Sequence, residues 1–317
     1  MDKTYFPIWF DNAINSDGGN LRPAAKEFYK KILGLMPHLR TCYLEIPPQT
    51  EIGVLKSYQP DVVESYYENK ESVIEFIIFN IFEQFHFNSR YQIRELLLSL
   101  FSAIENGNFY TAAIINRAAL EVICVNYFTF RRVENNFDKS LNRIEQAQKT
   151  SLETVRDKLI TEYFQATYDI FSLLFDSNNA TSINWQEYYK KLGIDTGASA
   201  QSKKIHVNSV IEDVAKASKL PLVATYEIFS EFVHPNVGSK MLIVVTKSQH
   251  DKMMDKLTIG NNKNNSEAVL FYAEHFAEGM YYTLTLALSL VERSQRVLDM
   301  MEKLVPVSAD KPDLASH

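Results

Sequence analysis

Between Phe109 and Phe130 the chain carries two charged residues, Arg117 and Glu121. They are four apart, so on a helix they share one face. A charge placed among apolar residues is costly without a partner. Two readings fit this spacing. One is a structural ion pair that locks neighbouring helices. The other is an arginine held by Glu121 and turned to a cleft, where its planar fork suits an anionic group.

The second chemical stretch is Tyr226-Glu227-Ile228-Phe229-Ser230-Glu231-Phe232-Val233-His234-Pro235-Asn236. Tyr226, Ser230, Glu231 and His234 share a broad face of one helix. That helix must end at His234, because Pro235 has no amide and disfavours helix in the residue before it. A helix C-terminus carries partial negative charge and favours imidazolium, which poises His234 near neutral pH as a proton carrier. The plain alternative is a capping histidine bonded to Glu231 or to a final carbonyl. Tyr226, Ser230, Glu231 and Asn236 are the candidates for positioning a substrate.

Glu83-Gln84-Phe85-His86 and Glu231-Phe232-Val233-His234 both read Glu-x-x-His. Two such pairs plus a glutamate from each of two other helices make the di-metal carboxylate sites of some helical bundles, and Glu121 is a candidate for one of those glutamates. Chance accounts for the pairs almost as well, so no metal or other cofactor is expected. The chain contains no Gly-x-Gly-x-x-Gly, no Walker loop, no Gly-x-Ser-x-Gly elbow and no His-Glu-x-x-His.

The elements that must position these residues are helical. Pro23 suits a first helical position, and a helix with Phe28, Ile32 and Leu35 is expected to stop near Pro37. The prolines from Pro47 to Pro60 mark a connection. Helical periodicity begins near Glu71 with Val73, Ile74, Ile77, Ile78, Ile81 and Phe85. Ser89 with Gln92 predicts a new helix start, Gly107 a stop, and Asn108 the cap of an apolar helix over 109–130. Thr150 with Glu153 and Asn184 with Glu187 predict further helices, to about Phe175 and Gly193. The loop at 195–200 is polar. Ser209 with Glu212 and then Pro221 open two more helices, and Asn264 with Glu267 opens the last, running to about Leu304. Met241–Thr246 is rich in Ile and Val and predicts a strand, paired back towards 257–259 in a small hairpin. The chain therefore reads as all-α, with residues 1–70 an appendage, 71–306 one helical domain and 307–317 a disordered tail.

Of 317 residues 46% are hydrophobic, which is ample for a sizeable core. The formal net charge of -6 argues against a general nucleic-acid coat, which would be basic. Two isolated cysteines, Cys42 and Cys124, and no signal-like start point to the cytoplasm. Phe109–Phe130 is long enough to span a bilayer, but Arg117 and Glu121 make it a core helix instead. No membrane association is expected.

The order Asn116-Arg117-Ala118-Ala119-Leu120-Glu121, then Tyr226, Ser230 and His234-Pro235, then a hairpin and a long apolar helix, resembles a family of bacterial helical proteins of unassigned function. That family is related to HEPN (higher eukaryotes and prokaryotes nucleotide-binding) domains, and the similarity covers roughly residues 71–300. The resemblance implies a helical bundle with the hairpin near residues 241–259 as an insertion, and a homodimer. It implies a metal-independent ribonuclease of phage-defence or toxin–antitoxin type, acting on RNA and restrained by an antitoxin or other partner protein. Those enzymes carry an Arg separated from the His by four to six intervening residues. Here those positions hold Phe229, Ile228 and Glu227. Arg117 is the candidate replacement, giving Arg117, Glu121 and His234 as the catalytic set. Lacking that Arg, the domain also fits a non-catalytic module that senses or regulates a partner.

Overall fold

The computed structural model describes residues 23–47, 70–106, 108–147, 206–233, 244–249, 255–259 and 266–304, with side chains for 23–47, 83–106, 108–135, 206–233 and 276–300. Among the described residues the fold class is all-α. The helices are α1 (Pro23–Leu39), α2 (Lys70–Glu105), α3 (Phe109–Ala147), α4 (Val207–Ser218), α5 (Leu222–Val233) and α6 (Ser266–Leu304). Between α5 and α6 in sequence, β1 (Val244–Gln249) pairs antiparallel with β2 (Asp255–Ile259), Val244 opposite Ile259 and Gln249 opposite Asp255. The expected helices at 150–175 and 184–193, the loop at 195–200, the irregular start, the proline-marked connection beyond Pro47 and the tail at 307–317 lie outside the described residues.

Four helices differ from their expected limits; of these α4 begins at Val207, so that Ser209 lies inside its first turn and does not cap it. α1 passes through Pro37 to Leu39 and continues as a π-helical turn over Arg40–Leu44, closed by the Glu45 amide on the Arg40 carbonyl at 2.9 Å. Proline removes one helical bond, whereas continuing the helix buries Met36, Leu39, Tyr43 and Leu44, each worth about 1.5–3 kcal/mol if fully removed from water. α2 is one helix of 36 residues, uninterrupted at Ser89. The Ser89/Gln92 pair sits mid-helix, where no Gly or Pro breaks the backbone. α3 runs 39 residues, well beyond Phe130.

The chain divides into two compact units. Unit 1 comprises Met1–Pro48, Asn88–Asn126 and Val207–Val291; unit 2 comprises Gln49–Phe87, Tyr127–His206 and Glu292–His317. Unit 1 contains the chemically interesting face of α3. Its core is built from Tyr29 and Ile32 of α1, Ile93 and Leu97 of α2, Leu120 and Ile123 of α3, and Met280 and Leu284 of α6, all buried. Phe276 of α6 bridges neighbours, with its ring centroid 6.2 Å from that of Phe109 on α3 and 5.1 Å from that of Phe229 on α5. In unit 2, Phe85 meets Phe130 at 5.3 Å, and the buried His86 shares a 2.8 Å hydrogen bond between its Nδ1 and Ser294 Oγ.

Local chemistry sets the helix ends beside the site. Asn108 Oδ1 accepts from the Thr111 amide at 3.2 Å, an N-cap for α3. α4 ends at Ser218, and Lys219 just after it adopts φ 59°, a left-handed conformation of the kind that closes helices, ahead of Pro221 and α5. α5 then lies close on α6 because residue 279 is glycine: a Cβ there would sit 2.7 Å from Phe229 Cε2. Among the described residues one helix, Phe109–Asn135, is long and apolar enough to cross a membrane; 61% of its apolar window is buried within the protein.

Candidate functional site

Within unit 1, α3 and α5 bring together four of the residues singled out above. Arg117 Nε donates to Ser230 Oγ at 3.1 Å, and Arg117 Nη2 donates to Tyr226 Oη at 2.6 Å. The Tyr226 hydroxyl in turn donates to Glu121 Oε1 at 2.7 Å. Glu121 Oε1 also lies 3.1 Å from Arg117 Nη2. The guanidinium stacks over the Tyr226 ring, its Cζ 4.9 Å from the centroid. The four-residue spacing on α3 sets Glu121 one turn beyond Arg117, and the same spacing on α5 sets Ser230 one turn beyond Tyr226. Two helices thus present two polar residues each to a common point.

The site is partly accessible. Arg117 and Glu121 side chains are 20% and 29% exposed. Arg117 Nη1 has no partner among the described residues. The Tyr226 hydroxyl is pushed above its ordinary range, first by desolvation and then by its hydrogen bond to Glu121 and that carboxylate's charge; Arg117 offsets part of this. It remains a neutral relay that accepts from Arg117 and donates to Glu121. Burial, with a smaller push from Glu121, drives the Cys124 thiol up to about 12, so it is an inert core group.

The polar floor extends inward. Buried Asn116, beside Arg117, donates through Nδ2 to Thr283 Oγ1 at 3.1 Å, tying α3 to α6. Its Oδ1 is buried without a partner among the described residues, as are Arg94 Nε and Arg293 Nε. Of the other expected site residues, Glu231 is exposed on α5. His234 and Asn236 lie outside the described residues, directly after the last described residue of α5. Of the residues weighed as metal ligands, His86 is bonded to Ser294, and among the described residues no three His, Cys, Asp or Glu side chains gather as an ion would require.

A second arginine cluster lies in unit 2, at residues that no motif or spacing in the sequence marks. Arg293 of α6 stacks over Tyr127 of α3 with Cζ 4.7 Å from the centroid, donates through Nη2 to Tyr127 Oη at 3.2 Å, and pairs through Nη1 with Glu134 Oε2. Arg296 shares Glu134 at 3.6 Å. The available signal was weak: Arg293 and Arg296 are three apart on one helix, among several charged neighbours.

Compared with protein families, curated proteins and solved structures, the chain matches none.

Proposed function

We propose that Arg117, Tyr226 and Ser230 receive a phosphate of an RNA backbone, in a cytoplasmic, homodimeric HEPN-like protein of bacterial defence or toxin type. In this reading the strand pair is the hairpin insertion of that bundle. The observation that carries the proposal is the guanidinium of Arg117 held between Tyr226 and Ser230 of α5, the helix whose sequence runs on directly into His234. Arg117 then does from α3 what an arginine on the histidine's own helix does in the family this chain resembles.

The chemistry is transesterification. The 2′-oxygen bonds to phosphorus and the bond from phosphorus to the 5′-oxygen breaks, leaving a 2′,3′-cyclic phosphate. His234 handles the proton of the 2′-hydroxyl or of the leaving oxygen. Arg117 balances the charge that builds on the phosphate. The test is incubation of RNA with purified wild type and His234→Ala in EDTA, followed by analysis of product ends. Cleavage by wild type alone, with cyclic phosphate ends, is the expected result. Equal cleavage by both proteins, or none by either when both are folded, overturns it.

A non-catalytic module that regulates a partner protein is the second reading. It is favoured by the apolar residues that α5 leaves in solvent, Ile228 at 49% and Val223 at 37% exposure. It expects stable co-purification with a partner and no turnover.

A further inference from the structure

Glu121 makes two contacts through a single oxygen. Oε1 accepts from Tyr226 Oη at 2.7 Å and lies 3.1 Å from Arg117 Nη2. Donors converging at these distances from two helices form the pattern that binds one oxygen of a phosphate. Carboxylate and phosphate are the two anions that the guanidinium fork fits best. A ligand phosphate arriving at Arg117 would therefore meet a guanidinium whose charge is already matched and whose best-placed donor faces a carboxylate.

We infer that Glu121 is a built-in competitor, its carboxylate standing where a phosphate oxygen of the ligand would accept from Arg117 and Tyr226. This rests on the phosphate-site reading above. Glu121 sits one helical turn from Arg117 and is partly exposed, so a change of rotamer withdraws it to solvent without moving the backbone. Arg117 stays in place when it leaves, because the Nε bond to Ser230 and the stacking on Tyr226 do not involve Glu121. The site is then closed by default and opens to a polyanion that presents enough phosphates to outbid one carboxylate.

This differs in sign from a role in which Glu121 orients Arg117 for its ligand. An orienting carboxylate, once removed, weakens binding; a competing one strengthens it. The experiment is fluorescence anisotropy of a labelled, uncleavable 2′-O-methyl RNA against full-length wild type, Glu121→Gln, Glu121→Asp and Arg117→Gln at one fixed salt concentration. Thermal melting of each variant confirms folding. Glu121→Gln is expected to bind about tenfold more tightly than wild type, the scale of one charge pair. Glu121→Asp keeps the charge but draws it back by a methylene, and is expected to bind more tightly by a smaller factor; it also carries the test if the Gln variant does not fold. Arg117→Gln is expected to lose binding. If Arg117→Gln loses binding while the Glu121 variants bind as wild type or more weakly, the competitor role is overturned and the phosphate site stands. If Arg117→Gln binds as wild type does, or no variant binds, the phosphate site falls and the competitor role with it.

Discussion

Arg117 in unit 1 and Arg293 in unit 2 are each laid over a tyrosine ring and matched by a glutamate, yet the two guanidinium groups are satisfied differently. Arg117 pairs within its own helix and reaches across to α5 for its hydroxyl partners, and its Nε finds Ser230. Arg293 reaches across for everything: Tyr127 and Glu134 both belong to α3, and Glu134 is shared with Arg296. Arg293 Nε is buried with no acceptor among the described residues. Glu134 and Arg293 are each 17% exposed, less than either member of the Arg117 pair. The difference separates two uses of one motif. The less exposed pair that crosses between helices is a clamp, while the more open pair within a helix has the guanidinium that the proposed function hands to another anion.

That contrast sets the size of several effects. Arg293→Ala strips Glu134 of its principal partner and removes the stacking on Tyr127, and should lower stability by about 3 kcal/mol, seen as a fall in the urea midpoint. Arg117→Ala should cost about 1 kcal/mol in the same assay, since its pair is more exposed and lies within one helix. Equal losses would erase the distinction between clamp and site. Between them in size comes Gly279→Ala, which forces Phe229 and α5 away from α6 and should cost about 2 kcal/mol. It also shifts Tyr226 and Ser230 relative to Arg117, so the RNA affinity proposed for this site should fall with it; unchanged affinity would show that the site tolerates movement of α5.

The smallest effect at neutral pH is one of titration. Cys124, Tyr43, Tyr226 and Tyr282 all belong to unit 1, and in each the folded protein holds its proton more tightly than the free side chain does. The unfolded chain releases protons first, so stability is full below pH 9.0, the ordinary value for Cys124, and declines as pH rises towards about 12. Cys124→Ala should flatten that decline in urea titrations across the interval. An unchanged slope would assign the alkaline sensitivity to the tyrosines.

The Arg117 site was legible because an arginine and a glutamate stand out in an apolar helix, and because Tyr226 and Ser230 repeat the same four-residue interval. Periodicity located each pair on a face; that the two faces meet depends on Gly279 and Phe229, which no local pattern announces. Arg293, Glu134 and Tyr127 went unread because their positions carry charged and aromatic residues at ordinary density, and their partnership joins positions 166 apart in the case of Tyr127. The helix limits failed for a related reason. Pro37 and the Ser89/Gln92 pair are local stop and start signals, and burial of the residues around them outweighs one lost bond or one available cap.

The end of α1 carries a further consequence, concerning the order of events during synthesis. The carbonyl of Cys42, in the last turn, is satisfied by the Arg90 guanidinium through Nε at 3.2 Å and Nη2 at 2.7 Å, 48 residues further along the chain. Carbonyls in a last helical turn are the ones open to side-chain donors from elsewhere in the chain. This contact on the first helix of the described chain is therefore a vectorial event: it waits for Arg90 to be made and is timed by the growth of α2.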